Sequence, residues 1–146
     1  MDLYRETAKE AGIQNPQVGI NSHVYVADSS QQAGGEFFPA YAAMMNRIGR
    51  ERGWAPVTRD QFDDMRSQKG SLVVGSPDQV IEKILFEHSL FGNTRFLAQM
   101  SLGNMPHEKI LRAIELFGTK VAPVVRKELN QKQKAAPKPL VAPATR

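Results

Sequence analysis

Three histidines, His23, His88 and His107, are the side chains of this sequence best suited to acid–base or metal chemistry, and the chain contains no cysteine. A metal site needs several ligands at defined spacing, and no two of these histidines share a helical face with an acid. Ser22 and His23 are neighbours on a predicted strand, so their side chains point to opposite faces and cannot form a nucleophile with its base. We therefore predict no metal site and no histidine-activated serine.

The turn Gly75-Ser76 is a second candidate, for binding an anion. It stands at the predicted start of a helix, where backbone N–H groups and the helix dipole attract negative charge. Against this role, the turn lacks a GxGxxG pattern and Asp78 would repel a phosphate. The same residues also fit an ordinary helix cap, and both interpretations stay open.

Three strands are predicted to position these residues, at 17–27, 71–74 and 94–100. In the first strand apolar residues alternate with Asn21, His23 and Tyr25, which indicates one apolar and one polar face. The same alternation places Gln99 and Ser101 on one face of the last strand. Since helices are predicted between the strands, neighbouring strands should run parallel, which favours an α/β fold.

The starts of two predicted helices carry a capping box, in which Ser or Thr is followed three residues later by Gln: Thr58 with Gln61, and Ser76 with Gln79. An earlier helix is predicted to begin at Asp28 or Ser29 and to end at Gly53.

The last predicted helix is capped by Asn104 after Gly103. Its expected packing face recurs at spacings of four and three and consists of Ile110, Leu111, Ile114, Phe117 and Val121. Pro123 is expected to interrupt this helix, because proline lacks the N–H that an inner helical position needs.

The composition indicates one globular domain. The chain has 146 residues, of which 41% are hydrophobic and 23% charged. No apolar run approaches the roughly 20 residues of a membrane-spanning helix, and the N-terminus has no apolar signal segment, so we expect a cytoplasmic protein that does not bind membranes.

The net charge of +4 is concentrated in the last residues of the sequence. Residues 130–146 contain four basic residues and no acid, and subtracting these from the 19 basic residues leaves 15, equal to the 15 acidic ones. We therefore predict a folded domain over residues 1–129 and a disordered basic Pro/Ala/Lys tail over residues 130–146. A neutral domain gives no support for nucleic-acid binding.

Several segments together resemble a known family of enzymes: residues 41–54, 72–80, 95–97 and 102–109. In this order they are similar to the C-terminal part of the luciferase-like flavin-dependent monooxygenases, over nearly all of residues 3–129. The resemblance implies a partial TIM barrel, with about three parallel strands and flanking helices that correspond to the C-terminal βα units. The first five or so units of the family's barrel have no counterpart in this sequence.

The family binds reduced flavin mononucleotide (FMN) or a deazaflavin at the C-terminal ends of its strands. The resemblance therefore implies that His23, Gln99 and Ser101 contact the flavin or substrate, and that Gly75-Ser76 contacts its phosphate. Alternatively, His23 is a hydrogen-bonded core histidine and Gln99 only satisfies neighbouring backbone groups. No catalytic residue is assigned.

The resemblance also implies a function. A monooxygenase of this kind uses reduced flavin, supplied by a flavin reductase, and dioxygen to oxidise a small organic substrate. Because most of the barrel has no counterpart here, we expect the chain alone to be inactive. The alternative is a non-catalytic remnant or an assembly subunit of the family. In either case an open parallel sheet should be covered by a second copy in a homo-oligomer or by a complementing barrel half.

Overall fold

The computed structural model of the chain describes residues 1–14 and 16–135. It is an α/β structure with three strands and flanking helices, in the order α1 (Asp2–Glu10), β1 (Gly19–Val26), α2 (Ser30–Arg52), α3 (Arg59–Met65), β2 (Val73–Gly75), α4 (Pro77–Phe91), β3 (Arg95–Gln99), α5 (His107–Leu116), a π-helical turn (Phe117–Val121) and α6 (Ala122–Ala135). In this part of the chain no helix is both long enough and apolar enough to span a membrane.

The three strands form one open parallel sheet in the order β2-β1-β3. Residues 19–23 of β1 pair with residues 95–99 of β3, and residues 24–26 pair with residues 73–75 of β2. The prediction of about three parallel strands with flanking helices, as in a partial TIM-barrel-like fold, is confirmed. In a barrel wall, however, strands neighbour one another in chain order, whereas here the first strand lies in the middle.

This strand order places helices on both faces of the sheet. The chain moves from β1 to β2 in one direction and then crosses β1 to reach β3, so two right-handed crossovers put α2 and α4 on opposite faces. The core is accordingly in two parts. Tyr25 and Val74 pack with α2 and α3, while Val24 and Val73 pack with α4 and the π-helical turn.

The predicted caps at the starts of α2, α3 and α4 agree with the structure. Both capping boxes are formed, at Thr58 with Gln61 and at Ser76 with Gln79. Ser29 caps α2 by accepting a hydrogen bond from the Gln32 N–H. These signals are local, so the sequence alone defines where α2, α3 and α4 begin.

Two predictions about α5 are wrong. The helix follows Pro106 rather than an Asn104 cap, and Leu111 and Ile114 are 51% and 47% exposed. Of the predicted face, Ile110 and Phe117 pack against the core as expected. The fully buried side chains are Ala113, Leu116 and the predicted Val121. The spacing of five between the last two matches the π-helical turn, which is wider than the α-helical repeat that the prediction assumed.

Pro123 does not interrupt the helix. The Ala122 N–H bonds to the Phe117 carbonyl, five residues earlier, and α6 begins directly after this wide turn. Pro123 therefore lies in the first turn of α6, where a missing N–H is tolerated. Helix α6 continues to Ala135, so residues 130–135 of the predicted tail are helical. The rest of the predicted tail, residues 136–146, lies outside the described residues.

Candidate functional site

Two of the predicted site residues are direct neighbours. His23 on β1 is the register partner of Gln99 on β3, and Asn21 is the partner of Leu97. Residues directly opposite one another in neighbouring strands present their side chains on the same face. Asn21, Leu97 and Gln99 are exposed, Leu97 by 46%. We call this surface the open face: Gly19, Asn21, His23, Arg95, Leu97 and Gln99.

His23 lies at the boundary between the open face and the core. Its ring is half-buried and meets the edge of the Tyr41 ring, with the two centroids 6.2 Å apart. The Nδ1 atom is buried and has no hydrogen-bond partner among the described residues. Burial lowers the pKa of His23 below its usual value, so the imidazole is neutral at pH 7. Because Nδ1 is closed off from solvent, a ligand at the open face can form a hydrogen bond only with Nε2 of this neutral ring.

Ser101 follows β3 and is exposed, two residues beyond Gln99. The neighbouring Leu102 is buried and Gly103 adopts a φ of 52°, so the chain turns away from the sheet directly after Ser101. Gln99 and Ser101 therefore lie at the C-terminal end of β3, and His23 lies beside Gln99, three residues before the end of β1. In open parallel sheets ligands bind outside this end, at the point where the strand order reverses, and here that point is between β1 and β3.

The Gly75-Ser76 turn is separate from these residues. Gly75 pairs with Val26, three residues beyond His23 and on the opposite edge of β1, a distance of about 10 Å along the strand. The Ser76 N–H donates to Gln79 Oε1 at 3.1 Å, and the Gln79 N–H donates back to the Ser76 hydroxyl at 3.5 Å. Because these donors serve the capping box and Pro77 has none, the turn offers an anion chiefly the Asp78 N–H.

Sequence reasoning missed a partly buried polar network near the site, made of Tyr25, Glu36 and Lys109. The Tyr25 hydroxyl donates to Glu36 Oε2 at 2.5 Å, and Lys109 on α5 forms an ion pair with Glu36 Oε1 at 3.1 Å. These residues line a small cavity of ≈ 150 Å³ between α2 and α5. Since the three residues are 11 and 73 positions apart, no local pattern could have identified them.

The network fixes the charge of both acidic groups. Burial raises the pKa of the Tyr25 hydroxyl, and its hydrogen bond to Glu36 raises it further. Burial also raises the pKa of Glu36, but hydrogen bonds from Tyr25, Lys109 and Gln32 outweigh it, and the resulting pKa is below the usual value. At neutral pH the tyrosine is therefore protonated and the glutamate ionised. In the described residues no group of three His, Asp or Glu side chains is arranged to hold a metal ion.

Comparison with solved structures shows where this fold occurs. The chain is similar to monooxygenase RslO1 from Streptomyces bottropensis, with a TM-score of 0.64 and 24% identity over 84% of this chain and 36% of that one. It is also similar to the oxygenating constituent of 3,6-diketocamphane monooxygenase from Pseudomonas putida, a type II Baeyer-Villiger monooxygenase in complex with FMN. There the TM-score is 0.55 and the identity 22%, over 84% and 38% of the two chains. The predicted resemblance to monooxygenases is thus confirmed for the fold.

Sequence comparison adds one relative. The chain is 35% identical over 79 residues to an uncharacterised protein, y4vJ, of Sinorhizobium fredii, a stretch that covers 53% of this chain and 22% of that protein. No protein-family model matches the sequence. The chain thus spans about a fifth of this relative and little more than a third of the two solved monooxygenases.

Proposed function

We propose that this chain contributes the C-terminal βα units of a luciferase-like, flavin-dependent monooxygenase and that His23, Gln99 and Ser101 contact its flavin. The observation that carries the proposal is the register of β1 and β3, which sets the half-buried His23 directly opposite the exposed Gln99. One solved protein of the same fold is an FMN complex. Reduced FMN, or a deazaflavin, would supply the reaction with dioxygen, by which a small organic substrate is oxidised.

The side chains of the open face suit the edge of a flavin ring better than its phosphate. The neutral His23 ring can exchange a hydrogen bond with a ring nitrogen or oxygen, and the Gln99 amide can donate to a ring carbonyl. Leu97 offers an apolar surface beside them. Phosphate recognition needs several convergent donors, and the Gly75-Ser76 turn uses most of its N–H groups in the capping box. We therefore infer that the 146-residue chain binds flavin weakly and does not turn over alone.

Anaerobic titration with reduced FMN, read by absorbance, tests this site. We expect weak, saturable binding that is lost in His23→Ala and in Gln99→Ala, because each removes a polar contact to the ring. His107→Ala, which alters an exposed histidine at the start of α5, is the matched control and should bind like the wild type. A parallel titration with a reduced deazaflavin compares the two cofactors.

Two results would contradict the proposal. Binding that is unchanged in both site variants would remove His23 and Gln99 from the flavin site. Tight, stoichiometric binding by the wild type, or product formation with dioxygen and a panel of aldehydes, alkanes and sulfonates, would show that the site is complete rather than partial.

A second candidate function, that of an assembly subunit, is favoured by the open face. The faces of a parallel sheet are normally covered on both sides, yet Leu97 is 46% exposed. In the described residues β3 pairs on one side only, with β1. We propose that a second copy of the chain or a complementing barrel half covers this face, whether or not flavin binds. A compact monomer in sedimentation, with no binding of a hydrophobic dye, would contradict this.

The remaining parts of the proposal concern the cellular setting. A flavin reductase would supply the reduced cofactor, as in two-component monooxygenases. We propose a cytoplasmic location, which the absence of cysteine in the sequence supports. Fluorescence microscopy of a tagged protein tests the location.

A further inference from the structure

A polar cavity lies on the side of the sheet away from β3. Its volume is ≈ 340 Å³, and it is bounded by β2, α3, the segment after α3 and the first turns of α4. Its polar lining comes from Ser30, Asp63, Arg66, Ser67, Gln79, Glu82 and Lys83, together with Gln68. None of these residues belongs to the open face, so the cavity is distinct from the site described above.

Lys83 is the most unusual residue of this lining. Its side chain is almost fully buried, and the residue is only 4% exposed. The ammonium donates to the backbone carbonyls of Ser67 at 2.5 Å and Leu72 at 2.6 Å. In the part of the chain that the structure describes, no carboxylate lies within ion-pair distance of its Nζ. An ammonium carries three N–H groups, so the third is left for another acceptor.

A buried cation that lacks a counterion is costly, because its lost hydration is not replaced by a nearby negative charge. Burial lowers the pKa of Lys83 to about 8, although Glu87, one turn further along α4, opposes this shift. Burial raises the pKa of Glu87 as well, and its carboxylate forms no ion pair with the Lys83 ammonium among the described residues. The charge of Lys83 therefore favours an anion that can enter the cavity.

Arg66 provides a second set of donors at the same cavity. Its Nε donates to Asp63 at 2.6 Å, and its Nη1 donates to the Ser30 hydroxyl at 3.0 Å. Asp63 is shared with Arg59, whose Nε lies 2.8 Å from it, so one carboxylate faces two guanidinium groups. In the lining itself Arg66 and Lys83 are matched in number by Asp63 and Glu82. Glu82 is exposed, however, whereas Lys83 is buried, so the positive charge is the one held away from solvent.

We propose that this cavity binds a small oxyanion, either the carboxylate of a small organic acid or inorganic phosphate, between Lys83 and Arg66. Lys83 supplies its third N–H and a buried positive charge, and Arg66 supplies the planar guanidinium that suits an oxyanion. The anion thereby provides, within ion-pair distance of Lys83, a counterion that no carboxylate of the described residues provides.

NMR of the full chain with ¹³C-labelled lysine tests the proposal, because the Lys83 Cε shift follows the charge of its amine. The pH titration is run at constant ionic strength in chloride, in acetate and in inorganic phosphate. We expect acetate or phosphate, but not chloride, to raise the pKa of Lys83 by about one unit, which is a tenfold preference of the anion for the charged amine. The anion with the larger effect identifies the ligand class.

Variants separate this site from a general charge effect. Lys83→Met should abolish the saturable shifts that the anion causes in neighbouring backbone amides. Arg66→Gln should weaken binding of the anion about tenfold or more. Lys69→Met is the matched control, because it removes an exposed lysine from the segment after α3 that bounds the cavity. This variant should bind the anion like the wild type. If Lys83→Met fails to fold, the wild-type titration and Arg66→Gln decide. The proposal is overturned if neither oxyanion moves the Lys83 pKa, if chloride moves it equally, or if Arg66→Gln binds unchanged.

Discussion

Tyr25→Phe isolates one hydrogen bond of the network formed by Tyr25, Glu36 and Lys109. The substitution keeps the ring, which stacks on Phe37 with centroids 5.4 Å apart, and removes only the hydroxyl that donates to Glu36 at 2.5 Å. A hydrogen bond to a charged group contributes about 1.5–3 kcal/mol. Because Lys109 and Gln32 still hold Glu36, we expect a loss of about 2 kcal/mol in the free energy of unfolding. For a chain of this length that lowers Tm by roughly 4–8 °C.

Tyr41→Phe is the matched control for this prediction. Among the described residues its hydroxyl forms a hydrogen bond only with the sulfur of Met65, at 3.5 Å. Thioether sulfur is a weak acceptor, so removing this hydroxyl should cost less than about 0.5 kcal/mol. Urea denaturation at pH 7 measures both variants, and equal m-values show that the denatured state is unchanged. A double-mutant cycle with Glu36→Gln should give a coupling of about 1 kcal/mol or more. The reasoning fails if Tyr25→Phe costs no more than Tyr41→Phe.

Three further predictions follow from the fold. The free energy of unfolding of the wild type should rise with pH from about 8 towards 10, because the unfolded chain keeps a proton on Lys83 that the folded chain releases. Urea titrations over this pH range measure the rise, which should be absent in Lys83→Met. Ser76→Ala should cost about 1 kcal/mol through loss of the α4 cap, and an unchanged urea midpoint would show that the capping box contributes nothing. Leu97→Asp should reduce self-association in sedimentation by charging the open face, whereas Leu111→Asp, on the exposed side of α5, should not; equal effects would exclude the open face as the contact surface.

The parts of the fold that were predictable from sequence depend on neighbours in the chain. The capping boxes at Thr58 and Ser76 need only three residues, and the alternation around His23 needs only a strand. Parallel pairing also followed, because a helix separates the strands. These predictions use short-range geometry that tertiary packing did not override.

The parts that were not predictable depend on long-range packing. Nothing local shows that β1 lies between β2 and β3, or that His23 is opposite Gln99. The contact of Tyr25 with Glu36 and Lys109 requires α2 and α5 to meet at the end of β1. The burial of Ala113 and Leu116 rather than Leu111 and Ile114 depends on which side of α5 meets the rest of the fold, and the sequence around Gly118 gives no signal for the π-helical turn that follows.

The π-helical turn makes the length of the α5–α6 segment critical. It holds Leu116 and Val121 in the same core, although five residues advance an α-helix by about 500°, or 140° past a full turn. Deleting Gly118 would shorten the spacing between Leu116 and Val121 from five to four. An ordinary α-helix places residues at that spacing on one face, so the wide turn would no longer be needed. Inserting a residue instead would rotate the whole of α6 by about 100° and carry Val125 away from β3. This segment should therefore tolerate a shortening by one residue and reject a lengthening by one, the reverse of what is usual for surface connections.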